Sequence, residues 1–227
     1  MVVTMTCSSH CIATALHFDP KGAADNRARY ERRGPDPTTK LILDELRTIT
    51  HPGDTLLDVG GGIGVIGLEL QKSGLREIVL VDASASSLSV AERLFANAGS
   101  SARFRAVPGD FVDLFPSIVA DIVTLDRVVC CYPDYVALLK RAAASARTRL
   151  ALSFPRDRWY VRVGVAAENL ARRVTGNAFR AFVHPEAAMT ALLRDAGFRR
   201  IGQRTTLAWR VDHWERILEI ESPQVRG

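Results

Sequence analysis

Lysine is almost missing from this chain: only Lys21, Lys40, Lys72 and Lys140 stand among 30 basic side chains in 227 residues. The net charge of +5 is therefore carried by arginines scattered along the whole length, which excludes a dedicated basic tail for nucleic acid and suits anionic small molecules or a solvated basic exterior. No apolar run approaches the roughly 18 residues of a membrane span. Cysteine is scarce, with Cys7 near Cys11 and Cys130 next to Cys131, and the chain start lacks a basic segment followed by a sustained apolar core. Nothing marks a secreted protein, and a cytoplasmic location is expected. Cys7, His10, Cys11 and His17 are too cramped to match a standard zinc pattern, so no metal site is expected. Repeats, low-complexity tracts and a linker to a second domain are also absent.

What is present is an ordinary globular composition, 47% hydrophobic and 24% charged, with a length that fits one α/β domain behind an amino-terminal extension. Its organising stretch is Leu56 to Leu70, LLDVGGGIGVIGLEL. A short apolar run ends in an acid, breaks into glycines and resumes with helical periodicity, which reads as strand, tight loop and helix. Loops of this kind hold nucleotide-like cofactors outside the carboxyl end of the first strand of an open α/β sheet. Two registers fit. Gly62, Gly64 and Gly67 spell GxGxxG, a dinucleotide fingerprint, whereas Asp58, Gly60, Gly62 and Gly64 spell DxGxGxG. The second puts the loop directly after LLDV and leaves no extra glycines inside a buried strand.

In chain order, residues 1–19 show no sustained period and are expected to be mobile. Lys21 to Arg33 reads as a short arginine-rich helix stopped by Gly34, Pro35 and Pro37, an arm that could cover a ligand. Thr38 or Thr39 is expected to cap the next helix, which runs to Ile49. Strands are expected at Leu56–Val59, Glu77–Val81, Arg103–Val107, Asp121–Leu125 and Arg149–Phe154, with helices between them, implying a parallel sheet. A helical insertion, the amphipathic segment Arg158–Val174 and a helix over Pro185–Ala196, separates the fifth strand from an antiparallel hairpin at the sheet edge, Phe198–Thr205 and Leu207–Ile217. The expected fold class is thus α/β: a Rossmann-like, seven-stranded, mostly parallel sheet with an antiparallel carboxyl-terminal hairpin. The expected division is an arm, residues 1–37, and a catalytic domain, residues 38–227.

Acids mark the strand ends. Asp82 lies 22 residues after Gly60, where a carboxylate can take both ribose hydroxyls of an adenosine cofactor. Asp110 in PGDF and Asp126 in TLD end the next two strands. On these features, from Lys40 to Trp214, the chain resembles the class I S-adenosylmethionine (SAM) dependent methyltransferases, with motif I at LLDVGGGIG, the ribose acid in LVDAS, and the GDF and TLD strand ends. LDRVVCCYPD, SFPRDRWY and FRAFVHPEAAMTALLRDAGF further resemble, in order, stretches of magnesium-protoporphyrin O-methyltransferases. That family's pattern is carried by Leu125, Asp126, Tyr132, Pro133, Ser153, Phe154, Arg180, His184 and Glu186, with Cys131 where the family has a histidine before Tyr-Pro.

The resemblance implies SAM as cofactor, held by Asp58, Gly60, Gly61, Gly62, Gly64, Asp82, Ala83, Asp110, Phe111 and Asp126, with Asp110 against the adenine amino group and Asp126 near the methionine end; Tyr30, on the arm that precedes the sheet, is expected to fold over it. Candidate catalytic residues are His184, whose ordinary pKa suits proton transfer, Arg156 as an anchor for an acidic substrate, and Tyr132. Arg127 and Arg180 are further candidate anchors, and Trp159 and Tyr160 candidate stacking surfaces. The expected acceptor is a small, planar, apolar molecule with a carboxylate or an ionisable hydroxyl, porphyrin-like in kind. The sequence lacks the Asn-Pro-Pro-Tyr or Asp-Pro-Pro-Tyr of amino-methylating nucleic-acid enzymes, so nucleic acid is not an expected partner. An NAD(P)-dependent oxidoreductase using GIGVIG remains the alternative, and a non-catalytic SAM-binding or haem-related carrier a third.

Overall fold

The computed structural model of the protein describes residues 8–99, 101–114 and 117–217. Cys7 and the start of the arm lie outside them. Seven strands, β1 (Thr55–Val59), β2 (Glu77–Asp82), β3 (Arg103–Pro108), β4 (Ala120–Asp126), β5 (Ala146–Pro155), β6 (Phe198–Thr205) and β7 (Trp209–Arg216), form one sheet in the order β3-β2-β1-β4-β5-β7-β6. β7 alone runs against the others, pairing antiparallel with β5 and β6. The chain steps outward from β1 to β3 and then returns to place β4 beside β1, so the strand order reverses between β1 and β4. Such a switch point opens a crevice above the carboxyl ends of the strands.

Alternation along the strands sorts the core into two layers. Leu56, Ile78, Ile122 and Ala151 face α3 (Pro37–Ile49), α4 (Val65–Leu70) and α5 (Ala85–Ala98), through Ile42, Leu43, Leu46, Leu68 and Phe95. Their neighbours Leu57, Val79, Val123 and Leu152 face the opposite way onto α6 (Tyr135–Ser145) and α8 (Glu186–Asp195), through Leu138, Leu139, Met189 and Leu193. Both faces are covered, as the unbroken apolar strands require.

The arm is more ordered than its sequence pattern suggests. Over Ser9–His17 the chain forms α1, capped by the Ser8 hydroxyl; the helix is short and buries Cys11, leaving no repeat to read. α2 (Pro20–Arg33) begins at an Asp19 cap with Pro20 in its first turn, and Ala23 packs on Ile63 and Val90 of the main domain. The expected Thr38 or Thr39 cap is corrected to Asp36, whose Oδ1 accepts from the Thr38 and Thr39 N–H groups at 3.0 and 3.1 Å. β5 begins earlier than the expected Arg149, at Ala146, directly after α6 ends at Ser145.

The insertion is fastened to the sheet by charge. Arg210 on β7, 8% exposed, donates to both oxygens of Asp212 at 2.8 and 2.9 Å and to Glu186 of α8 at 2.6 Å. The other Glu186 oxygen accepts from the Asp157 N–H at 2.8 Å, just ahead of α7 (Trp159–Val174). Burial raises the Asp212 carboxyl and Arg210 opposes the rise. Arg210→Ala would leave a buried carboxylate with only Arg200 at 3.7 Å. It should cost about 3 kcal/mol in urea unfolding; a loss below about 1 kcal/mol would show that the cluster is not a fastening.

Candidate active site

Four carboxylates converge where the sheet order reverses. Asp58, one residue short of the end of β1, is 1% exposed; Thr124 of β4 donates to its Oδ1 at 2.7 Å, and its Oδ2 is buried without a hydrogen-bond partner among the described residues. Burial pushes this carboxyl up to about 7, against the Thr124 hydrogen bond and with added repulsion from Asp126 and Asp82. The glycines follow from wrapping a loop around that group. A Cβ on Gly61 would stand 2.2 Å from Asp58 Oδ2 and 2.6 Å from Leu80 Cδ1, and one on Gly60, at φ +59°, would stand 2.6 Å from Val128. No side chain larger than hydrogen fits either position.

Asp82, closing β2, fixes the same loop from the other side: Oδ2 accepts from the Gly62 N–H at 2.8 Å and Oδ1 from the Ser84 N–H at 2.7 Å. Burial raises this carboxyl too, against those two hydrogen bonds. Asp126, closing β4, accepts from Ser153 and from Thr39 of α3, both at 2.5 Å. The next residue, Arg127, has φ +61°, the left-handed conformation that non-glycine residues seldom adopt. It is held there by its N–H on Ser153 Oγ at 2.8 Å and its guanidinium on Asp36 at 2.6 Å.

These groups line a cavity of about 610 Å³ at the carboxyl ends of the strands. Of the eleven expected cofactor residues, ten border it: Tyr30, Asp58, Gly60, Gly61, Gly62, Asp82, Ala83, Asp110, Phe111 and Asp126. Gly64 does not. It caps α4 at φ +78°, and a Cβ there would meet Phe95 at 2.9 Å, so its role is to let α4 pack. Tyr30 presents its ring, because its hydroxyl donates to Glu69 at 2.9 Å. Asp110 is engaged by the arm: Oδ2 accepts from Ser8 Oγ at 2.9 Å, with His10 Nε2 at 3.6 Å, and Oδ1 accepts from the Val112 N–H at 3.2 Å.

The expected catalytic residues are not brought together. Tyr132 borders the cavity, its hydroxyl buried and unpartnered among the described residues and its ring edge-on to His10 at 4.3 Å. His184 does not border it; its Nε2 lies 3.1 Å from the Val129 carbonyl and 2.9 Å from that of Tyr132, bracing the turn between β4 and α6, and burial lowers its pKa. Arg156 donates to the Thr206 carbonyl at 3.1 Å, outside the cavity, and Arg180 to the carbonyls of Asn177 and Phe179. Trp159 points outward, 76% exposed, while Tyr160 borders the cavity. Cys130 and Cys131 also border it, but the Cys131 thiol, 3.8 Å away, and burial hold the Cys130 thiol well above its usual pKa, which does not favour a nucleophilic thiolate.

Pattern reading missed the far wall. His17 of α1 stacks on Phe179 at 4.3 Å and 3°, Phe18 meets Phe179 edge-on at 5.9 Å, and the Arg172 guanidinium lies 5.1 Å over the same ring. Arg172 also pairs with Glu168 at 2.9 Å, and the inner face of α7 supplies Val161, Gly164 and Val165. The result is a cavity with a carboxylate-rich floor under the glycine loop and an aromatic wall carrying one arginine.

Comparison with known proteins bears on the fold. The family model Methyltransferase small domain matches residues 25–124. Ribosomal protein L11 methyltransferases of Staphylococcus epidermidis and Staphylococcus aureus are 28% and 29% identical over 94 residues, 40% of this chain; the chain spans only 30% of their length. Among solved structures, magnesium protoporphyrin IX methyltransferase from Synechocystis PCC 6803, with bound S-adenosylhomocysteine (SAH), superposes with a TM-score of 0.71 at 20% identity, over 92% of this chain and 100% of that one. An O-methyltransferase family protein from Burkholderia thailandensis gives 0.64 at 16% identity, over 79% and 55%. The [4+2]-cyclase SpnF gives 0.59 at 14% identity, over 78% and 79%. The chain has the class I methyltransferase fold.

Proposed function

We propose that the protein transfers a methyl group from SAM to a small acceptor. The observation that carries the reading is the sign of the charge at the glycine loop. Asp58, Asp82, Asp110 and Asp126 surround it, and Asp58 is a carboxylate raised by burial, with added repulsion from Asp126 and Asp82. SAM brings a sulfonium and an ammonium; the pyrophosphate of NAD(P) brings negative charge to a place that already has too much of it.

When bound, SAM supplies an activated methyl that an acceptor lone pair displaces in line. On this reading the Asp82 carboxylate accepts from the ribose hydroxyls with the lone pairs left by Gly62 and Ser84, and Asp58 and Asp126 supply the field that favours the cation. Tyr30, Ala83 and Phe111 give apolar contact and exclude water. The chain's contribution to rate is chiefly positioning. The acceptor we propose is planar and apolar, with a carboxylate or ionisable hydroxyl. The stacked His17 and Phe179 and the apolar inner face of α7 support the first property, and Arg172 the second, as an anchor at the aromatic wall. The Tyr132 hydroxyl, buried and unpartnered among the described residues, is one polar group available to an acceptor oxygen.

Calorimetry should give micromolar SAM binding and none for NAD(P). Asp82→Ala should weaken SAM about 30- to 1,000-fold, for two hydrogen bonds to a charged acceptor. The opposite selectivity would end the proposal.

The Asp58 carboxyl sets a pH dependence. Its charge is present above about 7 and lost below it, so a cation should bind best at alkaline pH. Between pH 8 and pH 6 the SAM association constant should fall about tenfold, and Asp58→Asn should bind weakly with a flat profile. A flat profile in the unaltered protein would contradict the electrostatic role.

The acceptor can be sought by following SAH release with porphyrin-like, aromatic and acidic small molecules. With the best of them, Arg172→Met should raise KM about tenfold or more and leave kcat nearly unchanged, the mark of uniform binding. Methylation of nucleic acid or protein alone would redirect the assignment of acceptor.

A further inference from the structure

α7 carries two apolar faces, and the cavity uses one. Val161, Gly164 and Val165 point inward. On the other side Trp159, Val163, Leu170 and Val174, spaced by four, seven and four residues, form a stripe that is 76%, 60%, 63% and 80% exposed. Spacing of that kind keeps residues on one face over four turns. Globular chains seldom leave so regular a stripe uncovered without a use for it.

Two further exposed leucines lie on segments tied to the ends of the helix. At its amino end the Tyr160 hydroxyl donates at 2.9 Å to the carbonyl of Leu207, itself 79% exposed. At its carboxyl end Asn177 meets His17 of α1 at 3.1 Å, beside Leu16, 73% exposed. The polar residues that flank the stripe are arginines. Arg158, Arg162 and Arg173 are exposed; Arg162 pairs with Asp157 at 2.6 Å, Arg158 lies in the field of the same carboxylate, and Arg173 forms no salt bridge among the described residues. The one acid of α7, Glu168, sits on the cavity side and is paired with Arg172. The described chain ends elsewhere: β7 runs away from α7, and the Ile217 N–H bonds the Gly197 carbonyl at the opposite end of the sheet.

We infer that the outer face of α7 seats on the surface of an anionic lipid membrane. An amphipathic helix with Trp at one end, aliphatic side chains along its length and arginines beside them lies in the headgroup plane with the apolar side down. Its arginines fit negative headgroups, and the same cations on a second copy would repel, so charge selects the lipid over self-association. Because the inner face of the same helix walls the cavity, seating α7 would place the acceptor half of the cavity beside the lipid, where apolar molecules concentrate. The inference stands on exposure and charge, and does not depend on methyl transfer.

The test mixes the full-length chain with vesicles of equimolar phosphatidylglycerol and phosphatidylcholine, and with phosphatidylcholine alone. Sedimentation should recover the protein with the anionic vesicles at least about tenfold better than with the neutral ones, and bromine-labelled acyl chains should quench Trp fluorescence. The double variant Trp159→Ser, Leu170→Ser should lose both signals while binding SAM as the unaltered chain does, which separates lost docking from lost fold. Three results would overturn the inference: no binding to either vesicle, binding unaffected by the double variant, or a dimer in solution that the double variant dissolves, which would assign the face to a second copy.

Discussion

Everything at the cavity depends on one buried carboxylate. Asp58 sits inside the sheet with a hydroxyl on one oxygen and no hydrogen-bond partner among the described residues on the other, at a point where burial and two neighbouring acids all disfavour its charge. A chain gains no stability from such a group. It is tolerated because the loop that turns around it must come so close that Gly61 has no room for a Cβ, and because Asp82 ties that loop down from the next strand. The strained Arg127 and the hydrogen bonds from Ser153 and Thr39 onto Asp126 extend the same arrangement across β4. Local strain and unpaired charge gathered at one place are the physical signs of a ligand site.

The arm and the insertion then convert a crevice into a cavity. α1 reaches across to Asp110 through Ser8 and closes one side, α2 contributes Tyr30, and α7 and Phe179 form the wall opposite the loop. The Ser84 hydroxyl donates to the Phe18 carbonyl at 2.6 Å, which ties the joint between α1 and α2 to the cap of α5. The arm is therefore part of the site's architecture. The fold shared with the [4+2]-cyclase SpnF shows why the layout of the site and not the topology must carry the functional argument.

The strands and the floor of the site were legible in the sequence because their signals are short-range and steric. An apolar run closed by an acid before Gly60, Gly61 and Gly62 has few structural solutions, and an acid at or just past the end of each of the next three strands is hard to produce by chance. The walls were much less legible. α1 is too short for a period, and its contribution through Ser8, His10 and His17 rests on contacts with residues about a hundred or more positions away. His184 looked like a free base ahead of a helix, yet its ring is spent on two carbonyls, a fact set by tertiary packing. On α7 the pattern showed amphipathicity, but two apolar faces read as one, so Trp159 and Tyr160 were grouped although only Tyr160 borders the cavity, the two rings meeting edge-on at 5.9 Å.

The most direct test of this account is the titration of the Asp58 side-chain carboxyl, followed by carbon NMR on labelled protein with and without SAM. The account predicts a midpoint near 7 in the free protein, set by burial, and a fall of at least about one unit when the cation binds. A midpoint in the usual aspartate range in the free protein, or one that SAM leaves in place, would contradict it.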